Sequence, residues 1–186
     1  MSDSQNQPQS TSQGSVLQQW LLCLSQYVRM SLFSSSPANL PYSPATLLLT
    51  VLMYIGIGEL ILGDRRNFTS IVAQIGIEVC ILFAITYIVL KILHKPRRLL
   101  QTVSALVGVS LFISLMSLLV TSALPPGADP EQVNPVTLQI NLLLLFWNLA
   151  VISLIFKRAF EIRTVLAAVL AFNYFLIYEF ILLNIF

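Results

Sequence analysis

Apolar residues in this chain gather into five runs, at residues 44–62, 68–93, 99–124, 136–156 and 162–186, each closed by a short polar or proline-bearing stretch. A helix rises about 1.5 Å per residue, so about 20 apolar residues cross the roughly 30 Å of hydrocarbon in a bilayer. Each run reaches or approaches that length. Lipid-exposed strands are excluded, because an open sheet edge in hydrocarbon leaves backbone N–H and C=O groups unpaired. The pattern therefore predicts an all-α fold: a polytopic membrane bundle of five transmembrane helices.

Ahead of the first run the pattern differs. Residues 1–15 are rich in Ser and Gln and have almost nothing to bury, so a disordered tail is expected. Over residues 16–33, Leu17, Trp20, Leu21, Leu24, Tyr27 and Val28 recur at helical spacing, with Gln18, Gln19, Ser25, Gln26 and Arg29 between them. This reads as an amphipathic helix too polar to span. Trp20 and Tyr27 suit headgroup level and are the expected interfacial anchors. Residues 34–44, SSSPANLPYSP, form a breaker-rich linker, with Ser43 placed to cap a helix that begins at Pro44. The domain plan is a polar tail at 1–15, an interfacial helix and proline-rich linker at 16–43, and a five-helix transmembrane domain at 44–186.

Composition supports a membrane protein: 56% of the residues are hydrophobic and only 10% are charged, where a soluble domain carries about a quarter charged. A net charge of +2 spread beside apolar runs argues against nucleic-acid binding. The lipid bilayer is the first partner, and other membrane proteins are expected as the rest. The N-terminus lacks the basic n-region of a cleaved signal, so the first span is expected to direct insertion.

The cations sort by side. Arg29, the second turn (Lys91, Lys95, Arg97, Arg98) and the fourth turn (Lys157, Arg158, Arg163) hold eight of them. The opposite side holds only Arg65 and Arg66. The positive-inside rule then places the N-terminus inside and the C-terminus outside. It also puts the acidic loop with Asp129 and Glu131 outside.

Three carboxylates lie within the runs: Glu59, Glu78 and Glu179. Charge inside a bilayer is costly, so such residues face a bundle interior or a water-filled path. Depth along each helix puts Glu59 and Glu179 toward the outer end and Glu78 near the middle of its span, so that the three can share the outer half with Arg65 and Arg66 at its mouth, and they form the candidate intramembrane polar site. The plainer expectation is local hydrogen bonding, to Gln74, Asn148 or Asn173. Gly56, Gly58 and Gly76, and the small residues Ala105, Gly108, Ala167 and Ala171, are expected to let helices approach closely. Ser104, Ser110, Ser114 and Ser117 are expected to bond back to their own helix. Cys23 and Cys80 fit neither a zinc pattern nor a disulfide, and His94 is a single loop histidine. No catalytic set, metal site or cofactor motif is read from the residues.

Five spans, an inside N-terminus and two tight helical hairpins give a layout that resembles the Yip (Ypt-interacting protein) family of small membrane proteins. The stretch KPRRLLQTVSALVGVSLFISLMSLL at residues 95–119 looks like the basic-turn, Gln-Thr, Ala, Gly segment of that family's bacterial branch. The resemblance implies the five-span architecture and a bacterial inner (cytoplasmic) membrane, with the N-terminus cytoplasmic and the C-terminus periplasmic. It implies no catalytic residue. Eukaryotic members are associated with Rab-type GTPases, but this chain has no sizeable cytoplasmic domain for one to grip. The expected function is non-catalytic: an assembly, scaffolding or accessory subunit of a membrane complex. The alternative is a small transporter or channel component using Glu59, Glu78 and Glu179.

The threading is testable. Alkaline phosphatase fused after Phe186 should be active, and a fusion after Arg98 should be silent. Activity in the Arg98 fusion would overturn the topology.

Overall fold

The computed structural model of this protein describes residues 16–63, 66–123 and 135–185. The N-terminal tail, Arg65 and the acidic loop with Asp129 and Glu131 lie outside these. Six α-helices form among the described residues: α1 (Val16–Ser31), α2 (Pro44–Leu62), α3 (Phe68–Ile92), α4 (Leu99–Ala123), α5 (Pro135–Phe160) and α6 (Thr164–Ile185). No strand occurs among the described residues. The helices α2 to α6 are long and apolar enough to cross a membrane, which makes this a multi-pass membrane protein. Ser43 caps α2 as expected: its side chain accepts from the Thr46 N–H, and Pro44 occupies the first turn, where a missing N–H costs nothing. The fifth helix runs four residues further than its apolar run. Lys157 and Arg158 sit in its last turn, where the negative end of the helix dipole favours cations.

The architecture is a ring of helices around α4. Going round, α1 contacts α2, α2 contacts α3, α3 contacts α6, α6 contacts α5, and α5 contacts α1 again. Inside the ring, α4 packs on α1, α2, α3 and α5. Its span is 56% buried, against 17–28% for the other four spans. Residues 102–111 are buried without a break. Small side chains (Ser104, Ala105, Gly108, Ser110) make this possible, because lipid gives apolar helices no reason to associate and close packing must supply it.

The short α1 closes the ring at one end, and this revises the interfacial expectation. Its inner line is Cys23, Tyr27 and Met30, each 1% exposed. The Tyr27 ring lies flat over Gly108, where an added Cβ would come within 2.3 Å of it. Gly108 stands nine residues into α4, roughly 13 Å along its axis, so α1 packs within the depth of the spanning bundle. Tyr27 is therefore packed inside the bundle, and Trp20 is half-buried. Both reach Thr50 of α2: Trp20 Nε1 donates to Thr50 Oγ1 at 3.2 Å, and the Tyr27 hydroxyl lies 3.3 Å from it. Thr50 gives its own hydroxyl proton to the Thr46 carbonyl at 2.8 Å, so it accepts from both rings. The large apolar residues of α1 that face outward are Leu21, Leu22 and Val28, with Leu32 just past its end.

The basic residues also hold this end together. Ser34 N–H bonds to the Arg29 carbonyl past Phe33, Lys95 N–H to Leu90 past His94, and Ile162 N–H to Lys157 past Glu161. Phe33, His94 and Glu161 each have φ near +60° (61, 57 and 58°), so α1, α3 and α5 all end in a left-handed cap. Beyond α1, Trp147 Nε1 donates to the Ser31 carbonyl at 2.9 Å, and Arg158 donates to the carbonyls of Phe33 (3.0 Å) and Ser35. Gln101 ties the linker to α4 through the Leu40 carbonyl at 2.8 Å. Glu161 accepts from Lys95 and, at 2.6 Å, from Arg98, joining the α3–α4 turn to the α5–α6 turn. The Lys95 ammonium, and then the Arg98 guanidinium, hold its carboxyl below the usual carboxylate range. Exposed as it is, this clasp is weakened by salt.

Glycines divide more sharply than expected. Gly58 packs tightly, since a Cβ there would meet Ile75 at 2.8 Å, but Gly56 and Gly76 have open space beside them and support no close contact. Cys23 is buried and Cys80 exposed, and both are free thiols. Gly108→Ala should overpack α4 against Tyr27 by about 1–3 kcal/mol and loosen α1. In a Cys80→Ser background, Cys23 should then react with a thiol reagent several-fold faster than in the parent. An unchanged rate would show that Tyr27 on Gly108 does not seat α1.

Candidate functional site: a buried carboxyl and its vestibule

Glu78 projects from the middle of α3 into the interior and is 7% exposed. Three hydroxyls from three other helices meet it. Tyr54 of α2 donates to Oε2 at 2.7 Å. Ser110 of α4 and Tyr174 of α6 donate to Oε1 at 3.3 and 3.4 Å. Each donor is placed by its helix: Ser110 lies on the buried inner stretch of α4, and Tyr174 shares a buried line with Ala167 and Ala171 on α6. Both carboxyl oxygens are thus satisfied without a cation.

Polar groups continue from Glu78 toward the end opposite the basic turns. A cavity of about 140 Å³ adjoins it, lined by Tyr54, Gln74, Glu78, Ser114 and Tyr178 with apolar neighbours. Beyond lies a wider vestibule of about 540 Å³, lined by Arg66, Gln74, Tyr178, Glu179, Leu182 and Leu183. Gln74 and Tyr178 line both cavities and stand between them, with Gln74 Nε2 donating to the Tyr178 hydroxyl at 3.2 Å. Arg66 Nη1 donates to the Gln74 side-chain oxygen at 2.9 Å. The Tyr174 and Tyr178 rings stack, with centroids 6.3 Å apart. A water needs about 10–15 Å³ of such space and two to four polar partners, and both cavities supply these.

The three candidate carboxylates therefore separate. Glu78 lies at the inner end of the path and Glu179 at its mouth. Glu59 lines neither cavity. Its carboxyl lies over Gly63 at the end of its own helix, and its Oε2 is buried without a hydrogen-bond partner among the described residues. The local partners expected for the acids also change. Gln74 serves Arg66 and Tyr178, and Asn173 bonds back to the Val169 carbonyl. Ser110 donates to Glu78 rather than to its own helix, and Ser104 Oγ has no partner among the described residues. Tyr54, Tyr174 and Tyr178 were the residues that sequence reasoning passed over. Tyrosines at mid-span depth, away from the headgroup belts where they are common, were the available signal.

A second polar feature opens between α4 and α5. Ser114, Ser117, Asn141 and Asn148 line a cleft of about 230 Å³ with Ile113, Leu144 and Leu145. Asn148 Oδ1 is buried there without a hydrogen-bond partner among the described residues. No cluster of three or more His, Cys, Asp or Glu side chains able to hold a metal occurs among them. No family model matches the chain, and no curated protein or solved structure matches it either.

Interhelical hydrogen bonds in membranes average about 0.6 kcal/mol and reach about 1.7. Tyr54→Phe, which removes the shortest bond, should cost within that range in thermal unfolding in nanodiscs. Glu78→Leu leaves three hydroxyls unpaired and should cost roughly 2–5 kcal/mol, and Glu78→Gln distinctly less. Equal stability of the Leu and Gln variants would show that the cluster does not bind the helices together.

Proposed function

We propose that this chain is a non-catalytic accessory or scaffolding subunit of a bacterial inner-membrane complex. It is inserted with its N-terminus cytoplasmic and its C-terminus periplasmic, and it holds a transmembrane helix of another membrane protein in the cleft between α4 and α5. Membership of the bacterial branch of the Yip family is part of the same proposal, and rests on the span layout and residues 95–119.

The observation that carries the reading is Asn148. It lies roughly 20 Å along α5 from Pro135, at mid-span, where lipid tails offer no hydrogen bond and an unsatisfied polar group costs several kcal/mol. Its carbonyl oxygen is buried beside the cleft, with no hydrogen-bond partner among the described residues. The occupant that removes this cost is a helix bearing a Ser, Thr, Asn or Gln donor, since such side chains bond across helices in membranes. Asn141, exposed two turns away toward the mouth of the cleft, offers a second contact. Lipid serves the remaining outer surface, where Leu142, Leu143 and Phe146 are exposed. The orientation rests on the asymmetry of Lys and Arg. A second reading, a small transporter or channel component, has Glu78 and its vestibule in its favour. Against it, Glu59 stands apart.

The cleft is tested by placing a photoreactive amino acid at Leu144 in cells. The expected result is one discrete adduct with another membrane protein, whose yield falls several-fold in Asn148→Val at unchanged expression. A crosslink at twice the mass of the chain would mean that a second copy fills the cleft. That result, or a crosslink indifferent to Asn148, would overturn the accessory reading.

A further inference from the structure

A partner helix in the α4–α5 cleft accounts for Asn148 but gives Glu78 no role, because Glu78 sits among α2, α3, α4 and α6. Packing alone needs no carboxyl at this position and no cavity beside it. We propose that Glu78 is a proton-binding site, exchanging protons with the compartment at the end of the bundle opposite the basic turns and closed to the other.

The path is one-sided. From the mouth it passes through the vestibule to the joint at Gln74 and Tyr178, then through the inner cavity to Glu78. Because Gln74 donates to the Tyr178 hydroxyl, that hydroxyl keeps its own proton to offer into the inner cavity. On the basic side of Glu78 the interior is sealed by Leu82, Leu90, Leu106, Ile155 and Phe156, each no more than 2% exposed.

The site can hold either protonation state. A proton arriving on vestibule water forms an O–H bond on a Glu78 oxygen, and the water retains the electron pair of the bond it gives up. Hydroxyls donate or accept by rotation. Tyr54, which donates to the carboxylate, turns to accept from the acid. Lys or Arg in its place would lock the charged form. The groups that face Glu78 are Tyr54 from α2, the Ser110 and Ser114 hydroxyls from α4, and Tyr174 from α6, with Tyr178 one turn further out. Arg66 and Glu179, of opposite charge, both line the vestibule. The charge of the path thus lies at its entrance, and its inner end is neutral apart from Glu78.

Two measurements on the full chain decide this. In infrared difference spectra of the protein in nanodiscs, raising the pH from about 5 to about 9 should remove a protonated-carboxyl C=O band. That band should be absent in Glu78→Gln and shifted to higher frequency in Tyr54→Phe, which loses the 2.7 Å hydrogen bond. A spectrum without such a band, or a band that neither variant alters, would overturn the proton site. The Tyr54 variant decides the assignment even if Glu78→Gln fails to fold. In a Cys80→Ser background in oriented liposomes, a charged, impermeant thiol reagent should label Gln74→Cys from the side opposite the basic turns and leave Thr86→Cys at least tenfold slower. Equal labelling of the two, or protection of both, would overturn the one-sided path.

Discussion

A polar group inside a bilayer has no water to bond, so each one must find a partner within the protein or on another. Most of the distinctive contacts in this molecule answer that requirement. Thr50 gives its proton to its own helix and takes bonds from Trp20 and Tyr27. The carbonyls beyond α1 are taken up by Trp147 and Arg158 of α5. Glu78 collects hydroxyls from three helices. These bonds fix which helices adjoin, because apolar faces in lipid do not.

Close packing does the rest. The Tyr27 ring on Gly108 brings α1 against α4 more closely than any side chain at 108 would allow. That contact turns an arc of spanning helices into a closed ring over the basic half of α4. Cys23, Tyr27 and Met30 of α1 join the same buried cluster as the residues that seal the interior on the basic side of Glu78. Toward the other end α1 is absent and α4 is only partly covered. Both the vestibule and the α4–α5 cleft open there.

The basic turns combine two roles. Their charge is the asymmetry on which the proposed orientation rests. Arg158, Lys95 and Arg98 also hold α1 and the two turns together through specific acceptors. A substitution in these turns therefore changes packing as well as the charge asymmetry.

The sequence by itself determined the spans, their number and nearly all their ends. It also marked the short preceding helix, the Ser43 cap and the acids of interest. Length, apolarity and breakers are local properties, and a bilayer reads them locally. What only the tertiary structure decided was which faces point inward. In a water-soluble helix an apolar stripe marks the buried side, but here the lipid side is as apolar as the core. Nothing along α4 announced it as the central helix. Glu59 and Glu78 looked alike in sequence, and only the placement of Tyr54, Ser110 and Tyr174 separated a bonded interior acid from one folded over its own helix end. For α1 the periodicity revealed a stripe, and the missing Cβ at 108 decided what that stripe packs against.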